Sequence, residues 1–143
     1  DSDLSARNLR AGFQKVCRPV GVIITDTMCR AWRLGLTDNA IGVAGVTTLL
    51  DYRGQRDAAG RTLEQSVTAV ADEIASAAEL VKGKLDQIPV VLVRGLAQYV
   101  TLADGDGARS IVRPPEEDLF GLGAEMAERR GYLRGFEDGK NER

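Results

Sequence analysis

The fold depends on residues 20–45, VGVIITDTMCRAWRLGLTDNAIGVAG. The stretch opens with a continuous apolar run rich in β-branched side chains, Val20 to Ile24, which is typical of a buried strand. Glycines punctuate the rest of the stretch and predict that Thr27 to Gly45 is mostly loop or irregular. The sequence therefore predicts a buried strand that delivers polar side chains into a glycine-containing loop.

Asp26 and Thr27 follow the predicted strand directly. Ligands of α/β sheets collect beyond the carboxyl ends of strands. A carboxylate placed there can hold Mg²⁺, and a neighbouring hydroxyl or carbonyl can add a second oxygen. The pattern thus indicates a site for a metal and a phosphate. The alternative is an aspartate that caps the next turn through its side chain.

Two basic pairs are candidates for phosphate contacts. Arg30 and Arg33 are three residues apart and could grip a phosphate bidentately from one face of a turn or helix, or they are solvated surface arginines. Trp32, between them, is expected to pack in a core or an interface. Lys82 and Lys84 lie at the end of a predicted helix. They either complement the negative end of the helix dipole or form a loop for nucleotide phosphates.

The composition limits both the class of protein and the kind of site. The chain has 143 residues, of which 43% are hydrophobic and 28% charged, and this suits one soluble domain. A net charge of −2 and a pI near 5.2 argue against nucleic-acid binding. No apolar run approaches the length of a membrane span. Two cysteines and no histidine predict a reduced, cytoplasmic protein in which any metal is held by oxygen ligands, hence Mg²⁺ or Mn²⁺.

The remaining periodicity predicts an α+β fold. A capping box at 62–65 precedes the strongest helical pattern, which ends near Gly83, although its first turns at 67–70 also suit a strand. Apolar content predicts a buried strand at 89–93 and a further strand at 96–102. The other predicted elements are helices at 5–15 and 116–130 (the second with Leu119, Leu122 and Met126 inward), a short strand at 49–53, and turns at 54–61 and 105–107.

Taken together, several segments resemble the coenzyme F420-0:L-glutamate ligase (gamma-glutamyl ligase) family, most of all its actinobacterial two-domain form. The resemblance runs from about residue 1 to about residue 123 and implies a mixed sheet with packed helices. It is carried, in this order, by ITDTM and RAWR (24–28 and 30–33), GLTD and AIGVAG (35–38 and 40–45), LDYRG (50–54), AVADEIA (69–75), LVKGK (80–84), PVVLVRG (89–95) and DLF (118–120).

The resemblance implies a GTP-dependent ligase of coenzyme F420 biosynthesis. Enzymes of this family join L-glutamate to coenzyme F420-0 through a gamma-glutamyl amide bond, by way of an acyl phosphate. A carboxylate that is to be phosphorylated needs cations around the phosphates, and no step requires a histidine. The implied partners are GTP, L-glutamate, coenzyme F420-0 and a second copy of the chain in a homodimer. The implied cofactor is Mg²⁺ or Mn²⁺, with K⁺ as a further candidate.

The family motifs also imply site residues. Asp26 corresponds to a divalent-metal ligand, and Thr27 corresponds to a ligand of a second metal. Lys84 stands where other members carry a metal-binding glutamine, so this departure either removes the second metal or replaces one cation by an ammonium. Cys29 stands where the family usually has glycine. The segment that corresponds to a GTP-contacting loop comprises Lys82, Gly83, Lys84, Leu85, Asp86, Gln87, Ile88 and Pro89.

The family domain is nearly twice as long as this chain, and its N-terminal half has no counterpart here. The expected organisation is therefore the C-terminal half of a ligase domain at residues 1–128, followed by a charged, flexible tail at 129–143. Three functions stay open at this point. They are the F420-0 ligase, a non-catalytic ligase-like module with an assembly or regulatory role, and a different carboxylate-phosphate ligase on the same scaffold.

Overall fold

Residues 20–45 contain a long β-hairpin in the computed structural model, which describes residues 1–118 and 123–141. Strand β1, Val22–Arg30, pairs antiparallel with strand β2, Arg33–Ala44, across the two-residue turn Ala31-Trp32. The prediction of a loop over Thr27 to Gly45 is therefore wrong. The side chain of Trp32 is 90% exposed at the hairpin tip, so it is not part of the core of this chain.

Glycine serves this hairpin instead of breaking it. The strand register shifts between Ile24 and Thr25, where Ile41 is the extra residue of β2 and forms a bulge. At the adjacent Gly42, any side chain would collide with the backbone of Ser2, the first residue of helix α1, Ser2–Phe13. The glycine thus permits a close approach of helix and sheet. A residue that suggested a loop in the sequence marks a packing contact in the structure.

Helix α1 begins three residues before its predicted start and is held in place by two buried charged side chains, one of which, Asp3, bonds to the hairpin. The Asp3 carboxylate accepts hydrogen bonds from the backbone amides of Val43, at 2.9 Å, and Ala108, at 2.7 Å. The Arg10 guanidinium is equally buried. It donates to the carbonyls of Val20, Thr101 and Leu102 and to the carboxylate of Asp104. Because both charges have partners, their burial is tolerated.

Helix α2, Val70–Lys82, packs on the same hairpin, and its end at Lys82 confirms the predicted end. The predicted capping box is not used, because no side chain caps the N-terminus of this helix. Val67–Thr68 instead form strand β4, as the alternative prediction had it, and pair antiparallel with strand β3, Leu50–Asp51. The core consists of Val43, Ala71 and Ala108, with Ile23, Ala40, Val46 and Ile111 packed around them.

The two strands predicted from apolar content do not form. Residues 89–93 adopt no strand, and Val90 and Leu92 are 69% and 71% exposed, so the run is not buried. Residues 96–102 contain a 3-10 helix, Ala97–Tyr99, and one isolated bridge between Val100 and Val46. Apolar content makes a segment suitable for a strand, but a strand also needs a neighbouring strand to pair with.

The chain divides into two compact units, Asp1–Val112 and a second unit that begins at Arg113. The first unit confirms the α+β class, and both of its strand pairs are antiparallel. It also confirms the turn predicted at 54–61, where the Gly60 amide donates to the Asp57 carbonyl at 2.9 Å. A further 3-10 helix, Ala108–Ile111, follows the turn predicted at 105–107.

The second unit contains a 3-10 helix, Pro115–Glu117, and helix α3, Gly123–Asn141. The helix predicted at 116–130 is thus displaced toward the C-terminus, and α3 includes most of the stretch predicted as a tail. Met126, predicted to face inward, is 63% exposed. Leu119, Phe120 and Leu122 lie outside the described residues. Within residues 1–118 and 123–141, no helix combines the length and apolar character that crossing a membrane requires.

Candidate functional site

Six polar side chains, from β1, β2, α2 and the loop that follows α2, meet where α2 ends on the hairpin. Residues 25 and 27 of β1 face the same side because side chains alternate along a strand, and residue 38 of β2 lies opposite residue 27. Residues 79 and 82 are one helical turn apart and share a face of α2. We call the set the lysine–carboxylate cluster. Its members are Thr25, Thr27, Asp38, Glu79, Lys82 and Lys84.

Two hydrogen bonds fix the position of α2 on β2 and therefore bring the cluster together. The Asp72 carboxylate accepts from the Ala40 amide at 2.9 Å. One turn later, the Ser76 hydroxyl donates to the Asp38 carbonyl, also at 2.9 Å. Both bonds lie on the turns that precede Glu79 and hold the end of the helix against the strand. Asp72 thus has a structural role here.

The cluster contains two ammonium groups, and each lies beside both carboxylates. Lys82 Nζ is 2.5 Å from Asp38 Oδ2 and 3.5 Å from Glu79 Oε2. Lys84 Nζ is 3.4 Å from Asp38 Oδ1 and 2.5 Å from Glu79 Oε1. Each carboxylate therefore gives one oxygen to each lysine.

The two threonine hydroxyls complete the arrangement. Thr25 Oγ1 accepts from Lys82 Nζ at 2.8 Å and donates to Asp38 Oδ2 at 2.8 Å. Thr27 Oγ1 accepts from Lys84 Nζ at 2.6 Å and donates to Asp38 Oδ1 at 3.1 Å. Asp38 is thus the centre of the network and has polar partners on both of its oxygens.

Burial decides how firmly each charge is held. The Asp38 side chain is 3% exposed, that of Lys82 is 18% exposed, and that of Lys84 is 56% exposed. Burial by itself raises the pKa of the Asp38 carboxyl, but hydrogen bonds from the Lys82 ammonium and from both threonine hydroxyls outweigh it and hold this pKa well below its usual value. The Glu79 carboxylate raises the pKa of Lys84. Asp38 and Lys84 are therefore charged at neutral pH, and the cluster opens to solvent at Lys84.

Asp26 lies near this cluster but not in it. It occupies the middle of β1, opposite Asn39, so neither its predicted position after a strand nor the turn-capping alternative is correct. Side chains alternate along a strand, so Asp26 faces the other side from Thr25 and Thr27. Its exposed carboxylate accepts from the Thr27 amide at 2.7 Å. Its predicted role as a metal ligand stays a prediction.

The predicted GTP-contacting segment starts inside the cluster and continues as an exposed loop. Gly83 ends α2 with a φ of 59°, which a side chain would strain, and a Cβ at this position would force the Asp86 carboxylate to move. Gln87 adopts a φ of 55°, an uncommon conformation for a residue with a Cβ. Residues 85–89 are all exposed. The loop is therefore accessible to a ligand, and its contact with GTP stays a prediction.

The predicted arginine pair is not brought to the cluster. Arg30 and Arg33 lie opposite each other beside the hairpin turn, where Arg30 Nη2 donates to the Leu34 carbonyl at 3.3 Å. Arg30 lies three positions along β1 from Thr27, which corresponds to about 10 Å. Cys29 has no positive φ, so cysteine is accommodated without backbone strain at this position.

The sequence-based interpretation missed three members of the cluster, namely Thr25, Asp38 and Glu79. Asp38 fell in a segment predicted as loop, which gave it no partner. Two signals were nevertheless present. Thr25 and Thr27 show the two-residue period of a strand face, and Glu79 and Lys82 show the three-residue spacing of an ion pair on a helix.

Comparisons with known proteins identify relatives of this chain. A family model described as F420-0:Gamma-glutamyl ligase matches residues 1–95, which include the whole cluster. A Methanopyrus kandleri protein named Coenzyme F420:L-glutamate ligase is 46% identical over 123 residues, which are 84% of this chain and 49% of the relative. Proteins of the same name from Methanocaldococcus jannaschii and Methanothermobacter thermautotrophicus are 43% identical over 120 residues and 42% identical over 122 residues. These two alignments cover 82% and 84% of this chain and 47% and 48% of the relatives. The chain therefore spans about half the length of the curated relatives that it matches.

Proposed function

This chain belongs to the F420-0:gamma-glutamyl ligase family, and we propose that it serves the GTP-dependent addition of L-glutamate to coenzyme F420-0. In the proposed reaction, a carboxylate oxygen of F420-0 attacks the γ-phosphorus of GTP, and GDP leaves. The amine of L-glutamate then attacks the acyl carbon of the resulting acyl phosphate, an amide bond forms, and phosphate leaves. Family membership supports the choice of F420-0 and L-glutamate as substrates.

The observation that carries this proposal is the position of the two lysines at the start of an exposed loop. Lys82 is held between Asp38 and Glu79, so the backbone at the end of α2 is fixed in place. Lys84 is more exposed, and its ammonium can turn from Glu79 toward an anionic ligand. A nucleotide phosphate at the loop would therefore contact the Lys84 ammonium, which extends from a backbone that is fixed in place.

Asp26 fits one divalent cation in this proposal. Mg²⁺ commonly binds to one or two protein carboxylates and completes its shell with water and substrate phosphates. The exposed Asp26 carboxylate could be such a ligand for Mg²⁺ or Mn²⁺, with K⁺ as a further candidate. When bound, the ion would neutralise phosphate charge. In the described ranges, no three histidine, cysteine, aspartate or glutamate side chains form a group that could hold a metal, so the phosphates of GTP would have to complete the shell.

A homodimer is part of the proposal and is supported by the exposed apolar side chains of the hairpin tip. Large patches of this kind often mark protein interfaces. A second copy of the chain could cover these side chains. The proposed location is the cytoplasm, whose reducing conditions would keep the two exposed cysteines as free thiols. The side chains concerned are Met28, Trp32, Leu34 and Leu36.

The test is glutamate addition by the 143-residue chain with GTP and Mn²⁺, followed by mass spectrometry of F420-0. Asp26→Asn should abolish turnover and Mn²⁺-dependent GTP binding, because it removes the proposed metal ligand. Asp106→Asn, a change at another exposed aspartate, should leave both unchanged. Stable folding without turnover and without GTP or Mn²⁺ binding in calorimetry would contradict the proposal and favour the non-catalytic module. Binding that depends on Asp26 but gives no turnover would assign the activity to a longer polypeptide.

A further inference from the structure

The lysine–carboxylate cluster is arranged like a site for two metal ions, but the ammonium groups of Lys82 and Lys84 occupy the two cation positions. Two carboxylates that bridge two cations, with further oxygens at each, are typical of two-metal sites. Here Asp38 and Glu79 bridge, and a threonine hydroxyl is added at each position. The place of each metal ion is taken by a lysine ammonium.

The family motifs implied a second metal at Thr27 and Lys84, and the donor atoms present do not fit one. An ammonium has no lone pair and cannot be a ligand. Lys84 Nζ also lies 2.6 Å from Thr27 Oγ1 and 2.5 Å from Glu79 Oε1, at the point on which these oxygens converge. A divalent ion at that point would have to displace the lysine.

The charge of the cluster leads to the same conclusion. Two carboxylates and two ammonium groups give a formal charge of zero, so nothing is left for a divalent ion to neutralise. An added ion would also be repelled by both lysines at short range. Of the two, Lys84 closes the solvent-facing side, because Lys82 is largely buried behind it.

We propose that Lys84 replaces a divalent cation at the Thr27–Asp38–Glu79 oxygens and excludes metal from them. The cluster then carries its own cations without metal, and the Lys84 ammonium is the one exposed beside the loop. This inference goes beyond the proposed function, because it concerns which cations the chain carries and not which reaction it serves. It is compatible with one divalent ion at Asp26, on the other face of β1.

The experiment is a titration of the 143-residue chain with Mn²⁺ alone, followed by electron paramagnetic resonance of the free ion. All proteins carry Asp26→Asn, so that binding at Asp26 does not contribute. This reference protein should bind no Mn²⁺ at the cluster. Lys84→Ala leaves three converging oxygens and a net negative charge, so it should create a metal site. This variant should bind Mn²⁺ more tightly than the reference protein by about tenfold or more, a usual size for the effect of one supporting group on metal affinity.

Two further variants separate this effect from others. Lys84→Arg keeps the cation and should gain no site, and Glu79→Gln combined with Lys84→Ala should lose the new site. The proposal is overturned if Lys84→Ala and the reference bind Mn²⁺ alike, or if Glu79→Gln alone weakens Mn²⁺ binding by the reference. Circular dichroism of each variant verifies its fold. No turnover is measured, so failure here leaves the ligase proposal to its own test.

Discussion

Replacing Lys82 with methionine should destabilise the first unit by about 3 kcal/mol. Removing one partner of a buried ion pair typically costs about 3–5 kcal/mol, because the other charge is left without compensation. Here that charge is Asp38, which is 3% exposed and loses an ammonium at 2.5 Å. Two threonine hydroxyls and the more distant Lys84 remain, so we expect the lower end of the range. For a unit of this size, the midpoint of thermal unfolding should fall by about 10 °C.

Urea unfolding followed by far-ultraviolet circular dichroism measures this loss, and the slope of the transition should stay unchanged. Lys15→Met is the matched control, since this lysine is exposed and its replacement should change the stability by no more than about 0.5 kcal/mol. Asp38→Asn combined with Lys82→Met removes both charges and should recover much of the loss. The reasoning is refuted if Lys82→Met costs less than about 1 kcal/mol, or if the double variant is no more stable than the single one.

Asp3→Ala should cost about 3 kcal/mol, because it leaves the buried amides of Val43 and Ala108 without an acceptor; unaltered urea midpoints would contradict this. Burial raises the pKa of Asp3, but hydrogen bonds from these amides and a neighbouring one outweigh it and lower the pKa in the folded chain below 3.8. The Asp3 carboxylate therefore stabilises the fold fully at any pH above its pKa in the unfolded chain. This stabilisation is lost as the pH falls through its lower pKa in the folded chain. Asp3→Asn should therefore flatten the fall in stability below about pH 4 in acid titrations. Gly42→Ala should lower the midpoint of thermal unfolding by displacing Ser2 from the sheet, and an unchanged midpoint would show that α1 can shift without cost.

The hairpin shows why part of the fold could not be predicted from the sequence. Of the strand predicted at Val20 to Ile24, Val22 to Ile24 are confirmed as strand, but the same strand continues to Arg30 through polar residues. Those residues stay extended because β2 pairs with them, and the two strands are held by hydrogen bonds between segments that no local pattern connects. The opposite error occurred at residues 89–93, where an apolar run had no strand to pair with.

The candidate site was also only partly predictable from the sequence. The end of α2 followed from its apolar spacing and from Gly83, so Lys82 and Lys84 were correctly placed at a helix end. Their partner Asp38 was not predictable, because it lies 44 residues from Lys82 and meets it only when α2 packs on the hairpin. Asp26 was assigned to the right strand but to the wrong place along it.

By itself, the sequence determined the α+β class, the family, the end of α2 and the absence of any histidine ligand, since these depend on composition, local spacing and motifs. The tertiary structure decided which oxygens face which ammonium groups. The two-residue period of a strand predicts that Thr25 and Thr27 share a face, but it does not predict which side chains that face contacts. The packing of α2 on β2 buries Asp38 against Lys82, and this contact makes the cluster a neutral, self-contained pair of cations and carboxylates.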